Sequence, residues 1–149
     1  METDMTVFEA KGGCLCGAIR FRVTAKPLAA YYCHCQMCQR GGGGPFATGA
    51  TVQIENFTFT KGKPVAYESS PGAARLFCGN CGSTLGMQKT ENPTLADFCL
   101  GQLDDPNAIK PEFHFHTASA VSWCHVADDL PQHTENAPII DELWGSAEG

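Results

Sequence analysis

The sequence predicts an all-β domain of antiparallel sheets, and three features carry that expectation. Short runs of β-branched and aromatic residues recur along the chain, turn residues separate them, and the composition lacks the residues that long helices need. Of 149 residues, 16 are Gly and 9 are Pro while only 17% are charged; a helical bundle would hold more Glu, Lys, Leu and Ala. Hydrophobic residues make up 43%, enough for a core, and the length suits one domain.

The first strand falls at Ala18–Thr24. Ile19, Phe21 and Val23 share one face and Arg20 and Arg22 the other, which is the period of a half-buried strand. Further strand-like runs are Ala30–Tyr32, Phe46–Thr48, Thr51–Ile54, Phe57–Thr60, Val65–Tyr67, Ala74–Phe77 and Leu95–Leu100. Turns are expected at Lys61-Gly62-Lys63-Pro64, Ser70-Pro71-Gly72 and Glu91-Asn92-Pro93. Helix signals are sparse: one turn at Asp104–Ala108 and a short terminal helix at Ile139–Trp144.

Charge and hydropathy narrow the function classes. Ten basic and 16 acidic residues give a net charge of −6, and the cations are scattered, so nothing points to nucleic acid. No run approaches the ~18 apolar residues of a membrane span. The acidic start, Met1-Glu2-Thr3-Asp4, lacks the pattern of a signal peptide, so a soluble, cytoplasmic chain is expected.

Nine cysteines are many for a reducing compartment, where clustered thiols hold metal or do redox work. Cys14-Leu15-Cys16 is flanked by glycines, and Cys78-Gly79-Asn80-Cys81-Gly82 is a C-x-x-C knuckle. Together they supply four thiolates, the donor set of a closed structural zinc site, which would clip two distant parts of the chain. A redox C-x-x-C of thioredoxin type would precede a helix, whereas Gly82-Ser83-Thr84-Leu85 reads as the start of a strand. An iron site of rubredoxin type would suit two C-x-x-C knuckles better.

Cys33-His34-Cys35-Gln36-Met37-Cys38 adds a C-x-C-x-x-C triple. Three thiolates can grip one zinc and leave its fourth position open for substrate. The alternative is a second closed site, with Cys99, Cys124 or a histidine as fourth donor. Cys99, in an apolar run, reads as a core thiol. His34 is expected to point away from its two flanking cysteines. His114 and His116 alternate with Phe113 and Phe115, and the surface is the expected place for both. The run Gly41–Gly44 can bring backbone N–H groups near a ligand.

Gly13-Cys14-Leu15-Cys16-Gly17, Cys33–Cys38 and Arg75–Ser83, in this order, resemble the glutathione-dependent formaldehyde-activating enzyme family, also called the centromere-protein-V-type family. Leu103-Asp104-Asp105, Pro111–His116, Trp123 and Leu130-Pro131 fit its later pattern, so the similarity runs over residues 12–131 of one domain spanning 1–149. The resemblance implies an Mss4-like fold, antiparallel sheets pinned by a structural zinc. It implies two zinc sites: Cys14, Cys16, Cys78 and Cys81 for the structural ion, and Cys33, Cys35 and Cys38 for an active-site ion. The activity it implies is that of a carbon–sulfur lyase that adds glutathione to formaldehyde.

A thiolate-rich zinc accepts a soft sulfur ligand and keeps it ionised at neutral pH. A nearby cation would hold the carboxylates of a small thiol such as glutathione. Arg40 is the leading candidate and Arg75 the next, with Phe46 and Trp123 as aromatic walls. The rival reading is a zinc-pinned binding module without catalysis, since one fold serves many functions.

Overall fold

A computed structural model describes residues 7–145, and the acidic Met1–Asp4 segment lies outside the described residues. The chain forms β1 (Ala10–Gly13), β2 (Arg20–Val23), β3 (Ala29–Cys33), α1 (Gln36–Gly42), β4 (Ala47–Gln53), β5 (Phe57–Lys61) and β6 (Val65–Ser70). It continues through β7 (Ala73–Phe77), β8 (Thr84–Lys89), β9 (Leu95–Cys99), β10 (Phe113–Phe115) and α2 (Pro138–Trp144).

The strands make two sheets, a three-stranded one in the order β1-β2-β5 and a seven-stranded one in the order β10-β3-β4-β9-β8-β7-β6. All neighbouring pairs are antiparallel except β10 on β3. The all-β, mainly antiparallel expectation therefore holds, with one parallel edge pair made by a long return of the chain.

Period-2 patterning explains the core. Phe21 and Val23 face inward from β2, and Ala50, Val52, Ala96 and Phe98 meet them from the large sheet. The rings of Phe21, Phe57 and Phe98 pack with centroids 5.1 to 6.0 Å apart and join the two sheets. On the opposite face of the large sheet, Tyr31, Phe113, Phe115 and Ile140 build a second apolar cluster under α2. The central strands are thus covered on both faces, and a polar side chain on either face is buried.

Several elements differ from the sequence expectation. The runs expected at Phe46–Thr48 and Thr51–Ile54 merge into the single strand β4, with Phe46 and Ile54 just outside it, because Gly49 and Ala50 continue the ladder against β3 and β9. Gly41 and Gly42 belong to α1, and Gly43 ends it in the left-handed conformation, so the glycine run is a helix end. Asp104–Ala108 forms hydrogen-bonded turns, with Asn107 N donating to Asp105 Oδ1, and no helix. The terminal helix forms as expected. Among the described residues, no helix is long and apolar enough to cross a membrane.

Candidate functional site

The closed cysteine cluster sits where the two sheets meet. Cys14 and Cys16 follow β1 of the small sheet, and Cys78 and Cys81 occupy the turn between β7 and β8 of the large one. The four sulfurs lie within 4.8 Å of one another. Cys14 to Cys16 is 3.7 Å and Cys16 to Cys78 is 3.9 Å. A tetrahedron with Zn–S bonds of about 2.3 Å has S···S edges of about 3.8 Å, so the spacing fits a four-thiolate zinc and is far too long for disulfides.

The surrounding donors favour thiolates. Ile19 N reaches Cys14 at 3.3 Å, Asn80 N reaches Cys78 at 3.3 Å, and Asn80 Nδ2 reaches Cys16 at 3.2 Å. The Ser83 hydroxyl and its backbone N–H hold the Cys81 thiol down at about 5. Gly82, at φ +79°, turns the knuckle back so that its N–H closes on Cys78 O at 2.8 Å.

The second cluster is assembled at one corner. Cys33 ends β3, Cys35 caps α1 by accepting from Cys38 N at 3.4 Å, and Cys38 lies in the first turn of that helix. Their three sulfurs are within 4.8 Å of one another, and no fourth His, Cys, Asp or Glu atom joins them among the described residues. Cys99 and Cys124 stay outside the cluster. Burial pushes the Cys99 thiol up to about 12, as fits a core residue. Bonds from Cys33 and Cys38 hold Cys35 far below the usual thiol range.

The triple opens onto a cavity of about 390 Å³. Its walls are apolar, with Met37, Met87, Phe115, Ile140 and Trp144, and its ionisable groups besides the cysteines are Tyr31, Arg75, Lys89, Asp97 and His116. Arg75 Nη2 is 3.9 Å from Cys38 Sγ. Arg40 lies exposed in the last turn of α1 and does not line the cavity. The cation beside the thiols is therefore Arg75, because the pairing of β6, β7 and β8 carries that strand across the cluster. Phe46 packs against Tyr32 and His34 at centroid distances of 5.1 and 5.4 Å, away from the cavity. Trp123 is exposed. Phe115 and Trp144 take the places expected of Phe46 and Trp123.

His34 points away from its flanking cysteines, as expected, and its Nε2 is 2.8 Å from His114 Nδ1. His114 Nε2 in turn donates to Asp128 Oδ2 at 3.0 Å, and Tyr32 stacks on the His114 ring at 4.4 Å. His114 is thus only 3% exposed, against the surface position expected for it. Pairing of β10 with β3 brings it inside, and a signal for that partnership is absent from the local sequence. His116, one residue past β10, adopts φ +56° and turns to the cavity instead.

The residues missed by pattern are Tyr31, Lys89, Asp97, His116 and Trp144. Only Asp97 left a trace, as a lone charge inside the apolar run Leu95–Leu100.

Known proteins resemble the chain along most of this architecture. A protein of Schizosaccharomyces pombe named as an uncharacterized lyase is 35% identical over 89 residues, which are 57% of this chain and 63% of that protein. The chain thus spans less than two thirds of that relative. A Halomonas elongata protein, provisionally named a glutathione-dependent formaldehyde-activating enzyme, is 27% identical over 126 residues, 78% of this chain and 80% of its own. The crystal structure of a Rhodobacter sphaeroides protein superposes with a TM-score of 0.53 at 27% identity, covering 68% of this chain and 91% of that one. The sequence model of the glutathione-dependent formaldehyde-activating enzymes matches residues 9–119, a span that takes in both cysteine clusters and the walls of the cavity up to His116. The chain belongs to that family.

Proposed function

We propose that this protein is a zinc-dependent carbon–sulfur lyase that adds a small thiol, glutathione or a relative, to a small aldehyde such as formaldehyde, and runs the reverse. The observation that carries this reading is the three-sulfur cluster in the wall of a cation-bearing cavity. A binding module pinned by one metal needs the four-cysteine site alone, and the second cluster with its cavity favours an enzyme.

The donor sets fit two zinc ions. Cys14, Cys16, Cys78 and Cys81 would hold the structural ion, and Cys33, Cys35 and Cys38 the second. Zinc at the triple supplies a soft Lewis acid that favours the thiolate form of a sulfur ligand. Arg75 and Lys89 offset the charge of the thiolates and bind the carboxylates of an anionic thiol, a need the net charge of −6 makes acute. Met37, Phe115 and Trp144 give the reacting carbon and sulfur an apolar wall. The same reading takes residues 1–149 as one zinc-binding domain in the cytoplasm, where nine free cysteines stay reduced.

Metal analysis together with calorimetric titration of glutathione tests it. Two zinc ions per chain, heat on adding glutathione, and protection of the triple from alkylation are expected. One zinc per chain with no heat at millimolar thiol would overturn the enzyme reading in favour of the binding module.

A further inference from the structure

Among the described residues, Asp97 is the one carboxyl that lines the cavity. It stands mid-strand in β9, with Leu95, Ala96 and Phe98 buried around it. The strand register puts it between Thr51 of β4 and Met87 of β8, and Met87 beside Arg75 of β7. These side chains form a row on the face of the sheet that the cavity occupies. Tyr31 of β3 donates its hydroxyl to Asp97 Oδ2 at 2.6 Å. Among the described residues, no group hydrogen-bonds Asp97 Oδ1 or Oγ1 of Thr51 opposite it. Buried carboxylates ordinarily pair both oxygens, and a mid-sheet Asp with one oxygen left unpaired is costly to keep. A purely structural role would be served better by an apolar residue there.

We propose that Asp97 is the acid–base group of this site: its carboxyl gives a proton to the aldehyde oxygen as the thiol sulfur adds to the carbonyl carbon, and takes it back when the adduct breaks. This rests on the thiol–aldehyde reading above. In the addition, the sulfur electron pair forms the C–S bond and the C=O π pair moves onto oxygen. Oxygen takes the proton from Asp97 and leaves a carboxylate. The next thiol loses its proton on becoming a thiolate, and that proton restores the carboxyl. One thiol and one aldehyde thus give one hemithioacetal with no net proton change.

The surroundings suit the task. Burial pushes Asp97 up to about 7, against the Tyr31 hydrogen bond, the Arg75 charge and the Phe98 backbone N–H, which pull it down. The other ionisable neighbour on β9 is Cys99, and Cys38 of α1 lines the same cavity as Asp97 and Tyr31. A proton carrier works best when it exchanges near the operating pH.

The test follows NMR exchange between formaldehyde and S-hydroxymethylglutathione in the presence of zinc-loaded protein. Asp97→Asn keeps an oxygen for Tyr31 to donate to and removes the proton. It is expected to slow exchange on the order of a hundredfold, while zinc content and glutathione affinity stay unchanged. The fall in addition rate as pH rises through neutrality should vanish with it. Infrared difference spectra, wild type minus Asp97→Asn, should show a protonated carboxyl band below neutral pH, a readout independent of turnover. Tyr31→Phe is expected to stay active and to move the fall to higher pH, since the lost bond favoured the carboxylate. Wild-type rate and pH profile in Asp97→Asn would overturn the role of Asp97 and leave the lyase reading standing. Wild-type protein that does not speed exchange would overturn both. Should Asp97→Asn fail to fold, an unmoved pH profile in Tyr31→Phe overturns the role.

Discussion

The Tyr31 hydroxyl reaches Asp97 Oδ2 at 2.6 Å by passing over Gly49, on the strand that separates theirs. A Cβ at Gly49 would sit 2.5 Å from Tyr31 Oη, so only glycine lets the ring lie flat enough to make the bond. Gly49→Ala should therefore displace Tyr31 from Asp97. A crystal structure of the variant in which that distance is unchanged would contradict this.

The raised ionisation of Asp97 has a stability consequence. Its folded value of about 7 lies above the ordinary 3.8, so the fold favours the protonated form. The contribution of Asp97 to stability is full below about pH 4 and falls as pH rises to about 7, by on the order of 4 kcal/mol at most. Asp97→Asn lacks this loss. Its melting temperature relative to wild type should rise across that window and level off above it. A difference that stays flat with pH would show that Asp97 ionises as freely as in the unfolded chain.

The two cysteine clusters should differ in what they hold together. Cys81→Ser opens a four-sulfur clip that ties the small sheet to the large one, and structural zinc contributes on the order of 10 kcal/mol to small domains. That variant should unfold or precipitate. Cys35→Ser should keep a cooperative melt and lose or loosen one zinc per chain. Equal collapse in both would make the triple a structural centre as well.

Placement of the cations leads to a paired expectation. Arg75→Ala removes the guanidinium 3.9 Å from Cys38 Sγ and should weaken glutathione binding about tenfold, in line with a charge-assisted hydrogen bond. Arg40→Ala, on the exposed side of α1, should change it little. Calorimetry on both variants at matched zinc content would reveal a reversed order.

His114 links His34 to Asp128 and packs under Tyr32. His114→Ala leaves both polar partners short and opens a cavity against Tyr32, for a cost of about 3 kcal/mol. Urea denaturation should find it; a loss within experimental error would mean that water replaces the ring freely.

Much of this protein was legible in its sequence because the relevant distances are short along the chain. In C-x-C, C-x-x-C and C-x-C-x-x-C spacing, the covalent backbone itself keeps the sulfurs close, so the metal donors stand out without any tertiary information. The alternation Ile19, Phe21, Val23 likewise marks a strand because side-chain direction follows from the pleat. The residues around those donors depend on strand order and register. Arg75 is 37 positions from Cys38 and reaches it through the β6-β7-β8 meander, whereas Arg40, two positions from Cys38, is turned outward by the helix. His114 is inside because β10 returns parallel to β3, and Asp97 is buried because its strand lies in the middle of a sheet covered on both faces. Local spacing determined which atoms can bind metal; long-range pairing, whose energy comes from burying surfaces far apart in the chain, decided which charges stand beside them.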